Sequence, residues 1–226
     1  MTAVLPPPHT AAGPLPVRQF SRVEDGERLH GLLWRAGAGW RMISSAVLGG
    51  GIGERSWVLN AQVSHGYRRT DPERHLAGLA RDAGAGGPGV GLMTAADVRA
   101  HGHASDQGVT AVATAGLGVR GWAASPAEGV TTAARPGTVN IVVAVPAALT
   151  DAALVNAVAT TTEAKVQALL DAGYDCSGTP TDAVCVAARS PRPGGEVHAF
   201  AGPRSLWGAR VARAVHQAVH AAASRA

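Results

Sequence analysis

From Thr138 to Val145 the chain reads Thr-Val-Asn-Ile-Val-Val-Ala-Val, a run of strand-forming residues that is apolar on both faces except at Asn140. A strand of that kind must be covered on both sides, which gives it a central place in a sheet. Directly behind it, Thr150 is placed to cap a helix that runs to Ala172 and closes at Gly173. Val155, Val158, Thr162, Val166 and Leu169 are spaced along that helix to make one mostly apolar stripe. A second long helix begins at Ser205, with Trp207, Val211, Val215, Ala218 and Ala222 on its inward stripe.

Around this centre the pattern predicts shorter elements. Leu29 to Arg35 and Arg41 to Leu48 read as strands joined in a hairpin by Ala36-Gly37-Ala38-Gly39. Trp57 to Val63 reads as a third strand, and Asp71-Pro72 opens a helix to about Ala83, with Asp71 as its cap. Val90 to Met93 is short and apolar, and Thr94 is placed to cap a brief helix at Ala95 to Val98. Val109 to Ala115 sets Thr110, Val112 and Thr114 on one face and alanines on the other. Thr181 to Arg189 and Glu196 to Phe200 are two strands around the turn Pro191 to Gly195. Strands linked by turns and followed by long helices predict an α+β single domain, a mixed and largely antiparallel sheet with long helices packed on it.

Composition narrows the function classes. The hydrophobic share of 46% is too high for a disordered chain, and no uninterrupted apolar run approaches the roughly 20 residues of a spanning helix. The net charge is +4, yet the arginines are scattered without a basic run, which speaks against nucleic-acid binding. Lys165 is the one lysine, which makes it a candidate functional ammonium. Cys176 and Cys185 form neither a disulfide framework nor a metal pattern. Residues 1–20 hold five prolines, without a basic n-region or a continuous apolar core, and read as a disordered tail on a domain of residues 21–226. A cytoplasmic protein with no membrane partner is expected, and a homo-oligomer stays open.

Several segments carry groups capable of chemistry. Leu48 to Gly53 would let backbone N–H groups approach a ligand, but a strand follows where a nucleotide loop needs a helix, so locally it reads as a tight turn. Asn156, Thr160, Glu163 and Gln167 share one helix face, whereas Glu163 and Lys165 are about 200° apart and cannot both enter one site from a regular helix. The loop Ser177-Gly178-Thr179-Pro180-Thr181-Asp182 is dense in hydroxyls and ends in a carboxylate; it can present a nucleophile beside a base, or simply satisfy its own backbone. Ser44 and Ser45 point to opposite faces, so only one can face a given pocket. His216 and His220 have ligand spacing without the further ligand a metal site needs, His65 near Asp71 is a lone candidate base, and Cys176 has no sequence partner that would make it a nucleophile.

Six blocks taken in order resemble the adenosylcobinamide amidohydrolase family: Ser44 to Gly51, Gly91 to Ala96, Thr114 to Leu117, Thr138 to Ile141, Thr160 to Lys165, and Ser177 to Asp182. The resemblance spans roughly residues 30 to 222. It implies hydrolysis of the amide that joins aminopropanol to the corrin ring of adenosylcobinamide, giving adenosylcobyric acid for coenzyme B12 salvage. It implies a corrinoid substrate and no resident cofactor, and leaves a metal requirement open. Breaking an unactivated amide needs a nucleophile, a proton donor and a stabilised oxyanion. Asp182, Glu163, Thr179, Ser45 and Lys165 are then the catalytic candidates, with Asp182 or Glu163 activating a water or the hydroxyl of Thr179 or Ser45. Ser44, Gly49, Gly50, Gly51, Asn60, Thr94, Thr114, Asn140, Thr160 and Thr181 are the substrate-binding candidates, and no metal ligand is assigned. Ser177 and Pro180 depart from the family's Thr-Gly-Thr-Gly-Thr-Asp pattern, and Pro180 removes a backbone donor. The alternative that follows is a non-catalytic corrinoid-binding module.

Overall fold

A computed structural model describes residues 15–126 and 137–226. Its strands are β1 (Val17–Glu24), β2 (Glu27–Arg35), β3 (Trp40–Ser44), β4 (Gly51–Glu54), β5 (Trp57–Gln62), β6 (Val90–Thr94), β7 (Gly102–Asp106), β8 (Val109–Ala115), β9 (Val139–Leu149), β10 (Ala183–Arg189) and β11 (Val197–His198). The helices are α1 (Pro72–Asp82), α2 (Asp151–Asp171) and α3 (Leu206–Ala223). The expected tail lies outside the described residues as far as position 14, and Val17 to Phe20, counted with it above, belong to β1.

The α+β class holds, but the strands form two sheets where the sequence suggested one. One sheet has the order β1-β2-β5-β6; the other runs β4-β3-β10-β9-β8-β7, with β11 also paired to β9. Most pairs are antiparallel; β5–β6, β9–β10 and β9–β11 are parallel. The expected hairpin across Ala36 to Gly39 does not form. Both edges of β2 are taken by β1 and β5, so the chain crosses to the other sheet, where β3 pairs with β10. Likewise β11 does not pair back onto β10 but adds to the end of β9.

Alternation along the strands builds four layers. Val139, Ile141, Val143 and Val145 of β9 join the alanines of β8 and the inner faces of α2 and α3 in one apolar cluster. Val142 and Ala144 point the other way, into a second cluster shared with Leu32, Trp34, Val58, Val90 and Leu92 of the smaller sheet. Leu33, Trp57 and Leu59 on that sheet's far side pack against Leu76 and Ala80 of α1. The central position expected for β9 therefore holds, with helices on one face and a second sheet on the other.

Helix ends follow the sequence signals. Thr150 Oγ1 accepts from the Ala153 N–H at 3.1 Å, and Ser205 Oγ accepts from that of Gly208 at 3.2 Å. Asp71 flanks α1 without capping it, because its carboxylate is held by Arg69 at 3.0 Å. Thr94 accepts from the Ala96 N–H, but the short helix beyond it is a 3-10 turn at Val98–Ala100 capped by Asp97.

The α3 stripe is buried as expected; the α2 stripe is not. Val155 is 56% exposed, and α2 instead buries Ala153, Leu154, Ala157, Thr160, Thr161, Ala164, Lys165, Ala168 and Leu169. The physical reason is close approach: an alanine face brings the helix axis nearer to the sheet and to α3 than a valine face would allow. Among the described residues no helix is long and apolar enough to cross a membrane.

Candidate active site

The registers bring most of the candidates to one end of the two-sheet stack. β9 and β10 run parallel and begin there, so Asn140 and Asp182 lie at that end. The antiparallel partners β3 and β8 finish there, carrying Ser44, Ser45 and Thr114, and β4 begins there at Gly51. In the other sheet, Asn60 of β5 and Thr94 of β6 reach the same end: Asn60 Nδ2 donates to Thr114 Oγ1 at 2.9 Å, linking the two sheets.

On the helix side of this end, one carboxylate organises everything around it. Asp182 Oδ2 accepts from Lys165 Nζ at 2.5 Å and from the Thr179 N–H at 3.2 Å. Oδ1 accepts from the Thr179 hydroxyl at 2.5 Å and from the Val139 N–H at 2.8 Å. Four donors converge on this one carboxylate in a nearly closed setting: Lys165 is 9% and Asp182 12% exposed at the side chain. The Thr179 hydroxyl also lies 2.8 Å from the Gly137 carbonyl, but it has one proton, and the charged oxygen is the stronger acceptor. Beside it the Thr138 and Thr181 hydroxyls are 2.6 Å apart, and Thr181 donates onward to the Gly137 carbonyl at 3.0 Å.

The loop can close on this pair because of Gly178. Its φ is +148°, and a side chain there would run into both Asp182 and Lys165. Lys165 reaches the cluster from the buried face of α2, whereas Glu163, two residues earlier, is exposed. The expected separation of these two charges is borne out, and Glu163 makes no side-chain hydrogen bond among the described residues.

On the intersheet side of β9 lies a second polar group. Asn140 Nδ2 donates to Asn60 Oδ1 at 2.9 Å and to the Met93 carbonyl at 3.0 Å, while Asn140 Oδ1 is buried without a partner. Ser44 and Ser45 do face opposite sides: Ser44 is buried and donates to the Val184 carbonyl, and exposed Ser45 accepts from the Val184 N–H at 3.1 Å. The glycine loop is the β3–β4 turn, with Gly49 at φ +70° backed against Gly89 and Gly50 against the backbone of Ala46. Cavities of about 570 and 660 Å³ meet at Leu48, beside this turn.

Thr160 is the candidate that the fold sets apart. It is buried five residues before Lys165 and donates to the Ala201 carbonyl at 2.8 Å, with Asn156 Oδ1 accepting from the Ala201 N–H; together they fasten the segment leading to α3. The site also draws on Thr138 and Gly178, which lie within family-like blocks, and on backbone groups of Met93, Gly137 and Val139, for which a sequence carries no signal.

The remaining reactive groups lie elsewhere. Cys176 and Cys185 are free and fully buried; burial pushes the Cys185 thiol up to about 12 and raises that of Cys176 as well. His216 Nε2 sits 2.7 Å from Asp171, and among the described residues no three His, Cys, Asp or Glu side chains are grouped to hold a metal. His65 is exposed. Away from all these, Glu24, His75 and Tyr67 form a chain: Glu24 Oε1 is 3.1 Å from His75 Nε2, and Tyr67 Oη is 3.1 Å from Nδ1.

A polar, hydroxyl-rich sheet end around an anchored carboxylate, in an α+β frame, gathers the groups that acid–base chemistry on a bound ligand needs. The profile of the adenosylcobinamide amidohydrolase family matches residues 16–226, and the chain belongs to that family. It is 32% identical over 183 residues to the adenosylcobinamide amidohydrolase of Methanosarcina mazei, covering 78% of this chain and 87% of that protein. It is also 47% identical over 89 residues to the enzyme of the same name from Halobacterium salinarum, covering 39% of this chain and 36% of that one.

Proposed function

We propose that this protein hydrolyses the amide joining aminopropanol to the corrin ring of adenosylcobinamide, releasing adenosylcobyric acid and aminopropanol. The observation that carries the chemical reading is the Thr179 hydroxyl held 2.5 Å from a carboxylate that is itself paired with Lys165.

Asp182 is the general base. It takes the proton of the Thr179 hydroxyl as that oxygen attacks the carbonyl carbon and the amine departs, and then the proton of a water that hydrolyses the resulting ester; in the direct alternative it takes the proton of a water that attacks the amide itself. Lys165 has N–H groups beyond the one bound to Asp182; these favour the negative charge that develops on the carbonyl oxygen and stand ready to protonate the leaving amine. Ser45 is the weaker nucleophile candidate, since its oxygen receives a backbone N–H and among the described residues no carboxylate or imidazole takes its proton. Glu163 stands outside this arrangement. The glycine turn offers exposed backbone at the same sheet end, while the Asn60, Thr94, Thr114 and Asn140 group stays buried behind it on the intersheet side of β9.

The test is product formation from adenosylcobinamide, followed by chromatography with mass detection, with and without a chelator. Adenosylcobyric acid is the expected product, and the conservative Asp182→Asn variant is expected to lose at least about a hundredfold in kcat, the lower end of general acid–base effects. Binding without turnover by the wild type refutes hydrolysis, and full activity of a folded Asp182→Asn variant removes that residue from the role of base. Product formed only without chelator would bring a metal into the mechanism.

A further inference from the structure

Trp34, Trp40, Trp57 and Trp207 are buried at 5–8% exposure, while Trp122 is 44% exposed. An indole left open to water calls for a reason when its position is held as firmly as this one. The segment after β8 is strapped to the loop that carries the catalytic candidates. The Gly121 N–H donates to the Gly178 carbonyl and the Ser177 N–H returns to the Gly121 carbonyl, both at 3.0 Å. The Ala123 N–H donates to Ser177 Oγ at 2.7 Å, and that hydroxyl lies 3.2 Å from the Gly121 carbonyl.

Further back, the Gly116 N–H donates to the Thr138 carbonyl at 3.0 Å, and the Arg120 guanidinium lies 5.2 Å from the centre of the Tyr174 ring. The Trp122 backbone is therefore anchored on both sides, next to the residue that bridges to Gly178, and Gly178 lies against Lys165 and Asp182. One Cα step plus one bridge places the Trp122 Cα within about 9 Å of that of Gly178.

We propose that Trp122 is a stacking platform for the adenine of the substrate's adenosyl group, a substrate-positioning residue that makes the enzyme selective for adenosylated corrinoids. The assignment rests on the function proposed above. An exposed aromatic side chain on a backbone strapped to the loop of the reacting groups can take a flat π-system with little ordering of the main chain. Adenine is the better match within the substrate, because axial groups on the cobalt stand over the faces of the corrin, whereas the nucleobase has an open face.

The experiment compares wild type, Trp122→Ala, Trp122→Leu and Trp122→Phe, with calorimetric Kd for adenosylcobinamide and for cyano-cobinamide and with kcat and KM for adenosylcobinamide. Trp122→Ala and Trp122→Leu are expected to raise Kd and KM for adenosylcobinamide at least about tenfold, with kcat changed only a few-fold and Trp122→Phe recovering most of the loss. Binding of cyano-cobinamide is expected to be the same in all four. An unchanged Kd for adenosylcobinamide in Trp122→Ala overturns the platform and leaves the proposed function intact. Equal losses for both corrinoids overturn the adenine assignment. Recovery by Trp122→Leu reduces the residue to apolar bulk and overturns stacking. A wild type that neither binds nor cleaves adenosylcobinamide refutes the function itself, and the Trp122 assignment with it.

Discussion

Asp182 and Lys165 form one ion pair, yet removing the carboxylate should cost more stability than removing the ammonium. Asp182→Ala strands the Lys165 ammonium at 9% exposure and deprives the Val139 and Thr179 N–H groups of their acceptor. Leaving a buried charge unpaired costs about 3–5 kcal/mol. Lys165→Met keeps most of the side-chain volume, and Asp182 retains three donors, two backbone N–H groups and the Thr179 hydroxyl. A carboxylate satisfied in this way loses one charge-assisted bond, about 2 kcal/mol. With a urea slope of about 2 kcal/mol per molar, the unfolding midpoint should fall by about 2 M for Asp182→Ala and about 1 M for Lys165→Met. The double variant should be less destabilised than the sum of the two, because both single changes remove the same ion pair and Asp182→Ala also strands an ammonium that the double variant no longer has. Urea unfolding followed by circular dichroism measures all three. The account fails if Lys165→Met is at least as destabilising as Asp182→Ala, or if the two changes add.

Other consequences follow from burial and backbone geometry. Both thiols should resist an aromatic disulfide reagent at pH 8 in the native protein and react fully in urea, since burial holds each in the protonated form; fast native labelling would contradict their environment. Burial lowers the His75 pKa below its ordinary 6.5, with Glu24 opposing the shift. The unfolded chain then takes up a proton that the native state refuses, so this contribution is intact above about pH 6.5 and is lost as pH falls through the lower native value. His75→Gln should flatten that part of the stability–pH curve, and an unchanged curve would place the titrating group elsewhere. Gly178→Ala should lose activity and stability together, because its Cβ enters the space of the ion pair at a backbone angle that favours glycine. A fully active Gly178→Ala protein would show that the loop need not close on Asp182.

What was legible in the sequence was whatever depends on neighbours a few residues apart. The caps at Thr150 and Ser205, the stop at Gly173, the doubly buried character of β9 and the Thr/Ala faces of β8 all rest on local periodicity and capping, which tertiary packing had no cause to override. The opposed directions of Glu163 and Lys165, and of Ser44 and Ser45, came from the same periods. The phase of α2 did not, because a helix with alanine on one side and valine on the other offers two apolar faces, and only the closeness of the sheet and α3 selects between them. Strand pairing was equally out of reach: the Ala36 to Gly39 connection looks like a hairpin until both edges of β2 are occupied, and nothing near that turn reports it. The site divides along the same line. Its residue types could be named in advance, but the gathering of Thr138, Gly178, Thr179, Asp182 and Lys165 around one carboxylate, and the departure of Thr160 to fasten Ala201, are decided by contacts between segments far apart in the chain.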